Sequence, residues 1–203
     1  MTASVASQRF ILTSRYLAWL GSSLDVKRYP RQTEGVPADE VDRLITAWGR
    51  ERPDLDLAPL AVLSRVTRLA RHLERVRTQA FGTAGLETWE FDVLAALRRT
   101  GEPYVLSPGQ LVARTRVTSG TMTNRIDRLE HRGLVQRLPD PEDRRGVHVR
   151  LTPAGSDHVD LALQALLRRE RQILAAVAPD RAARLADLLR DLMQPFEDGA
   201  DTR

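Results

Sequence analysis

Residues 107–155, SPGQLVARTRVTSGTMTNRIDRLEHRGLVQRLPDPEDRRGVHVRLTPAG, carry in order the signals of two short helices and a β-hairpin. Ser107 is a typical helix N-cap, and Pro108 stands at the first helical position, where a missing N–H costs nothing. The second helix is expected to begin with a cap at Thr118 or Ser119. A helix, a tight turn, a second helix and a two-stranded ribbon together predict a winged helix-turn-helix.

The second helix of this stretch has one apolar and one polar face. Met122, Ile126 and Leu129 recur at helical spacing and should pack on the body of the domain. The other face carries small or hydrogen-bonding side chains, which can reach base edges or phosphates from a major groove. The predicted DNA-contacting residues of this helix are Thr118, Ser119, Thr121, Thr123, Asn124 and Arg128.

A hairpin is predicted after Gly133, which should end the second helix. The segments LVQRL and VHVRL alternate apolar with polar residues and are separated by PDPEDRRG. The long tip bears Arg144 and Arg145. Taken alone, such a tip is a solvated charged turn, with Glu142 and Asp143 balancing the two arginines.

Composition narrows the possible classes of protein. A chain of 203 residues is long enough for one packed domain, with or without an appendage. The absence of cysteine excludes disulfides, thiol nucleophiles and thiolate metal sites. Because no stretch approaches the roughly 18 apolar residues needed to cross a bilayer, we expect a cytoplasmic protein.

The formal net charge is +4, and Lys27 is the only lysine beside the many arginines. Genomic base composition can explain the replacement of lysine by arginine. The basic surplus is concentrated at the hairpin and the second helix, where it would act on phosphates.

No pattern in the sequence indicates catalysis or metal binding. The four histidines, His72, His131, His148 and His158, fall on different elements, and no two have the spacing of metal ligands. We find no glycine-rich phosphate loop, no Ser-His-Asp set and no strand-borne carboxylate pair. The sequence therefore predicts neither an enzyme nor a bound cofactor or metal.

The remainder of the chain is predicted to be helical. Residues 81–152 form the predicted DNA-binding domain, in which WEFDVLAAL is a central helix because its apolar residues lie on more than one side. Thr152 should cap a helix that runs to about Ala178, and Pro179 should begin a last one. The apolar stripe of the first of these two helices is predicted to contain Val159, Leu163, Leu166, Ile173 and Val177.

The flanking blocks, residues 37–80 and 153–198, have no obvious partner within the chain, since the winged part closes its own core. We therefore expect both blocks to form a dimerisation region. Residues 1–36 are interpreted as an N-terminal extension, either a mobile arm or the product of a start codon assigned too far upstream. The fold class is thus mainly α with a small β wing, flanked by dimerisation helices.

Residues 107–155 and the preceding LETWEFDVLAAL resemble the MarR family of bacterial transcription regulators. The resemblance is carried by SGTMTNRIDRLEHRGLV, by the wing DPEDRRG and by the closing LTPAG. It implies a homodimer on double-stranded DNA, with one recognition helix of each subunit in successive major grooves. It also implies that Arg144 or Arg145 enters the flanking minor groove.

A narrower resemblance concerns Trp48, Asp92, Arg125 and Arg137, which are similar to the pattern of the urate-responsive branch of the family. It implies a pocket in which an anionic purine pairs with the arginines, is repelled by the aspartate and shifts the recognition helix. Arginine suits a flat anion, and tryptophan can stack on a ring. The alternatives are a core role for Trp48 and a different phenolic or hydrophobic ligand.

These patterns predict a transcription regulator, most simply a repressor, which releases a pseudo-palindromic operator when a small anion such as urate binds. Two other classes of protein fit the same residues. One is an architectural DNA-binding protein without an effector. The other is an interaction module whose winged fold binds protein rather than DNA.

Overall fold

The computed structural model describes residues 37–140 and 146–197. The predicted N-terminal extension and the wing arginines Arg144 and Arg145 therefore lie outside the described residues. The elements in chain order are α1 (Glu40–Glu51), α2 (Ala58–Gly82), α3 (Thr88–Arg98), β1 (Val105–Leu106), α4 (Pro108–Thr115), α5 (Ser119–His131), β2 (Val135–Pro139), β3 (Val147–Leu151), α6 (Pro153–Leu174) and α7 (Pro179–Glu197). None of the helices in these two ranges is long and apolar enough to cross a membrane.

The described chain divides into two compact units, which meet in sequence between Arg71 and His72 within α2. In the N-terminal unit, residues 37–71, Val41 is buried with 2% exposure. Ion pairs supplement this small core, since Arg65 lies 2.8 Å from Asp39 and 2.7 Å from Asp42. This unit therefore combines a small apolar core with ion pairs at its surface.

The core of the C-terminal unit, residues 72–197, is centred on α3. Val93, Leu94, Ala96 and Leu97 are all fully buried. This agrees with the sequence prediction of a central helix, because apolar residues on several sides of one helix need neighbours on several sides. The ring of Phe91 continues the core by stacking on Phe81, with ring centroids 3.9 Å apart.

The helix-turn-helix has the capping residues that the sequence predicts. Ser107 caps α4, with its Oγ accepting from the backbone N–H of Gln110 at 3.2 Å, and Pro108 stands in the first turn. The helix ends at Arg116, whose φ of 54° lies in the left-handed region. Thr118 then caps α5.

The sheet differs from the predicted two-stranded ribbon. It has three antiparallel strands in the order β1-β3-β2, so β3 is the middle strand. The wing strands pair from Val135 with Leu151 to Pro139 with Val147. The additional strand β1 has two residues, too few for an alternating pattern, and is defined by its pairing with β3.

The helix α6 begins as predicted, with Thr152 as N-cap and Pro153 in the first turn. Gly155 is needed there because a Cβ at this position would lie 2.1 Å from the carbonyl oxygen of Leu134. The predicted extension to about Ala178 is wrong, since the helix ends at Leu174. Pro179 disfavours helical backbone at the residue before it, which separates α6 from α7.

The apolar stripe predicted for α6 is correct only in part. Val159 and Leu166 are buried, but Leu163 is 42% exposed and Ile173 is 40% exposed. The inward face instead includes small residues that allow close contact with α3, and these residues are Ala162 and Ala165. The last helix, α7, has no buried residue.

Candidate nucleic-acid interface

The inner face of α5 is fixed in the core. Met122 and Leu129 are fully buried, and Ile126 is 1% exposed. Because these three residues occupy one stripe, the rotation of the helix about its own axis is determined. The polar residues of the opposite face are therefore directed outward.

All six residues that the sequence assigns to DNA contact on this helix are exposed: Thr118, Ser119, Thr121, Thr123, Asn124 and Arg128. Some of their hydroxyls already take part in the helix. The Thr118 hydroxyl lies 2.9 Å from that of Thr121, and Thr123 donates to the carbonyl of Ser119 at 3.1 Å. Within the described ranges the Asn124 amide has no hydrogen-bond partner, so it is available to a base edge.

Arg128 is held by α3 and the turn before it. Its Nη2 donates to Oε1 of Glu87 at 2.9 Å, and its guanidinium lies 4.6 Å from the centroid of the Trp89 ring. The indole N–H of Trp89 in turn donates to Oε2 of Glu87 at 2.7 Å. Sequence reasoning did not find Glu87 or Trp89, because the three residues are brought together by folding across about forty positions.

A second contact fixes the C-terminal end of α5. Glu90 is 1% exposed, and its Oε2 accepts from Arg132 at 2.5 Å and from the backbone N–H of Glu87 at 2.9 Å. Arg132 also donates to the carbonyl of Gly85 at 2.9 Å. The spacing of Glu87 and Glu90 is that of a capping box, which signals the helix start but not the burial of this carboxylate.

Asp92 and Arg125, two of the residues predicted to bind the effector, lie near Trp89. The guanidinium of Arg125 is 5.4 Å from the Trp89 centroid. Burial raises the pKa of Asp92, while the positive charges of Arg77 and Arg125 oppose that rise. Among the residues that the structure describes, Arg77 is the cation paired with Asp92, at 3.3 Å. In the structure, Arg125 is therefore close enough to Asp92 for its charge to lower the pKa of that carboxyl.

Arg137 is engaged elsewhere. Its guanidinium forms ion pairs with Asp127 and Glu130 of α5, and its backbone N–H donates to Glu130 at 2.8 Å. These contacts hold the pKa of Glu130 below its ordinary value, although burial opposes them. Trp48 lies on α1 in the N-terminal unit and is 52% exposed, so it is not a core residue of that unit.

Comparison with known proteins agrees with this geometry. The profile of the MarR family matches residues 84–146. The regulator PecS of Dickeya dadantii (strain 3937) is 36% identical over 150 residues, which cover 74% of this chain and 90% of PecS. The chain belongs to the MarR family. PecS is an HTH-type transcriptional regulator, so the similarity of this MarR-family chain is to a regulator rather than to an enzyme.

Solved structures of MarR from E. coli have the same fold. The wild-type apo form superposes with a TM-score of 0.56 at 26% identity, covering 64% of this chain and 96% of MarR. A MarR variant complexed with operator DNA gives a TM-score of 0.55 at 24% identity, covering 77% of this chain and 99% of that chain. The winged helix-turn-helix and the family predicted from sequence are thus both confirmed.

Proposed function

We propose that this MarR-family protein is a homodimeric repressor that binds a pseudo-palindromic operator and releases it when a small anion binds. The observation that carries the proposal is the outward polar face of α5 above three side chains of which none exceeds 1% exposure. A recognition helix must present the same side chains to DNA in every complex. The buried stripe of α5 provides that constancy.

The proposed DNA contacts fall into two groups. Ser119 and Asn124 are suited to base edges, and Arg128 is suited to a guanine or a phosphate. The wing arginines, Arg144 and Arg145, are assigned to the flanking minor groove from the sequence pattern. Two copies of this arrangement, about 34 Å apart, would read two half-sites one helical turn apart.

The proposed dimer interface uses the apolar residues that the single chain leaves exposed. In α7 the exposed apolar side chains are Leu185, Leu188, Leu189, Leu192, Met193 and Phe196. Because an exposed stripe of this length is costly in water, a second copy is its simplest partner. The block 37–80 is proposed to join this interface, as the sequence pattern indicates.

The proposed effector is an anion such as urate or a related purine. Arg125 would pair with it, and Asp92 would repel it or give up its ion pair with Arg77. Arg125 is part of α5, so an anion bound to it acts directly on the recognition helix. Release of DNA then requires that the ligand bind the DNA-incompetent arrangement more tightly than the competent one.

Fluorescence anisotropy with the intergenic DNA beside the protein's own gene tests the DNA part of the proposal. We expect a concentration-dependent dimer complex whose affinity falls steeply with salt. Arg145→Ala should weaken binding and reduce the salt slope by about 0.9 for each phosphate that the variant no longer neutralises. The control is Arg190→Ala, whose dimerisation is verified first, because the Arg190 side chain is 72% exposed and pairs only with Asp187 within the described residues. Equal slopes for the two variants would remove the wing from the interface.

Titration of the complex with urate, and in parallel with a simple phenol, tests the effector. We expect urate to release DNA from the parent protein and to act weakly on Arg125→Ala and Asp92→Asn. A response to the phenol alone would identify a phenolic effector instead. If neither compound acts and specific DNA is bound little better than random DNA, the architectural alternative is correct.

A further inference from the structure

We infer that Glu87 is a positioning residue, which acts with Trp89 to orient Arg128 for sequence reading. The inference rests on the proposed function, because it assumes that Arg128 faces DNA. It adds two residues that lie outside the helix-turn-helix itself. Both belong to the start of α3, at least thirty positions before the recognition helix.

The first observation is the use of an unusual residue at the start of α3. Glu87 is the N-cap, a position where serine, threonine, aspartate and asparagine are preferred. Its two carboxylate oxygens accept from the side chains of Trp89 and Arg128, at 2.7 and 2.9 Å. A residue that departs from the local preference while binding two other side chains is typical of a site with a role beyond folding.

The second observation is the part of Arg128 that remains free. The guanidinium carbon lies 4.6 Å from the centroid of the Trp89 ring, and Nη2 donates to Glu87. No further hydrogen bond to this side chain occurs among the residues that the structure describes. Glu87 accepts one of the two N–H groups of Nη2. The second N–H of Nη2 shares an edge of the guanidinium with Nε or with Nη1, so that edge can still donate a pair of hydrogen bonds to guanine O6 and N7.

The third observation concerns the size of the stabilisation. The side chains of Arg128 and Glu87 are 53% and 59% exposed. An ion pair so accessible to water contributes little to the stability of the fold. Its main consequence is to restrict a long side chain to one direction, which reduces the conformational entropy lost on binding.

The sign of one substitution separates positioning from simple electrostatics. Glu87→Gln removes a negative charge beside the proposed DNA-binding face, and added positive charge ordinarily strengthens DNA binding. If Glu87 orients Arg128, the same substitution must weaken binding in spite of the charge gained. Glu102→Gln is the matched control, because it makes the same charge change at an exposed residue for which the described residues contain no hydrogen bond or ion pair.

The probe is the strongest site that the wild-type protein selects from random-sequence duplexes, together with its single-base variants. We expect Glu87→Gln to weaken binding to the selected site about fivefold, the scale of an exposed ion pair. Discrimination at one base pair of each half-site should fall by a similar factor, while Glu102→Gln leaves discrimination unchanged. Trp89→Phe retains a ring for stacking and should lose less discrimination than Trp89→Leu.

A double-mutant cycle with Arg128→Ala completes the test. We expect Glu87→Gln to have no further effect on discrimination once Arg128 is absent, because Glu87 acts through it. Additive effects, or stronger binding by Glu87→Gln alone, would overturn the inference. Urea unfolding of each variant verifies that the fold is retained. If wild-type protein selects no site at all, the proposed function fails instead, so the two failures are distinguishable.

Discussion

The two amphipathic helices α5 and α7 differ in the exposure of their apolar residues. In α5, Leu129 is fully buried, whereas in α7 Leu188 is 56% exposed and no residue of the helix is buried. Both sequences repeat leucine or similar residues at helical spacing. The difference teaches that periodicity shows that a helix has an apolar face, but not whether the partner of that face lies in the same chain.

The contrast divides substitutions into two kinds. Changes to the buried residues of α5, or to the core residues around it, should lower the free energy of unfolding at any protein concentration. Changes on the apolar face of α7 should act through association and therefore depend on concentration. Measurements at more than one protein concentration separate the two kinds.

Leu129→Ala should have the largest effect. The side chain is fully buried in the C-terminal unit, so its truncation should lower the free energy of unfolding by about 3 kcal/mol. Urea unfolding monitored by circular dichroism at two protein concentrations measures the change. A loss below about 1 kcal/mol would show that the stripe of α5 is not the core contact that the structure shows.

Gly155→Ala should rank second. A methyl group at this position meets the Leu134 carbonyl oxygen at 2.1 Å, and relief of the overlap requires a shift of backbone. We expect a loss of about 2 kcal/mol. Gly120→Ala is the matched control, since a Cβ there has no neighbour within 4 Å and alanine favours a helix. The comparison fails if both variants lose stability equally.

Leu188→Ala should leave folding nearly unchanged and weaken the dimer. Because the interface of a symmetric dimer contains each residue twice, we expect the dissociation constant to rise about tenfold or more. Sedimentation equilibrium over a range of concentrations measures it. If the variant and the parent associate equally, the exposed face of α7 has another purpose and the contrast with α5 must be reinterpreted.

The smallest effect should appear in the N-terminal unit at acid pH. The Asp42 backbone N–H, followed by the Arg65 guanidinium, lowers the pKa of Asp39 from 3.8 to about 2. A carboxyl with a depressed folded-state pKa stabilises the fold above its ordinary pKa. That contribution is lost as pH falls from about 4 toward 2. Asp39→Asn should flatten the acid limb of the stability profile in this range, as measured by urea unfolding at a series of pH values.

Local signals account for what the sequence predicted correctly. The caps of α4 and α5 are hydrogen bonds from the backbone N–H three residues later to the side chains of Ser107 and Thr118. A few neighbouring residues in the sequence are therefore sufficient to predict each cap. The same holds for the left-handed end of α5 at Gly133, where φ is 70°. The buried stripe of α5 could be predicted because the apolar residues at helical spacing are the ones that are buried.

The missed features have non-local causes. The strand β1 is defined by hydrogen bonds to β3, more than forty residues later. The buried carboxylate of Glu90 and the contact of Glu87 with Arg128 likewise join α3 to the far end of α5. The resemblance implied that Arg137 binds the effector. In the structure its guanidinium pairs with Asp127 and Glu130. Its ligand role stays a prediction.

The position of β3 in the sheet has a mechanical consequence. It is bonded to β2 on one side and to β1, directly before α4, on the other. The ladder extends to Pro139 and Val147, and the backbone N–H of Asp140 donates beyond it to the carbonyl of Gly146 at 3.1 Å. The base of the hairpin and the start of α4 are therefore connected through the hydrogen bonds of β3. A tilt of the hairpin base would therefore also move the start of α4.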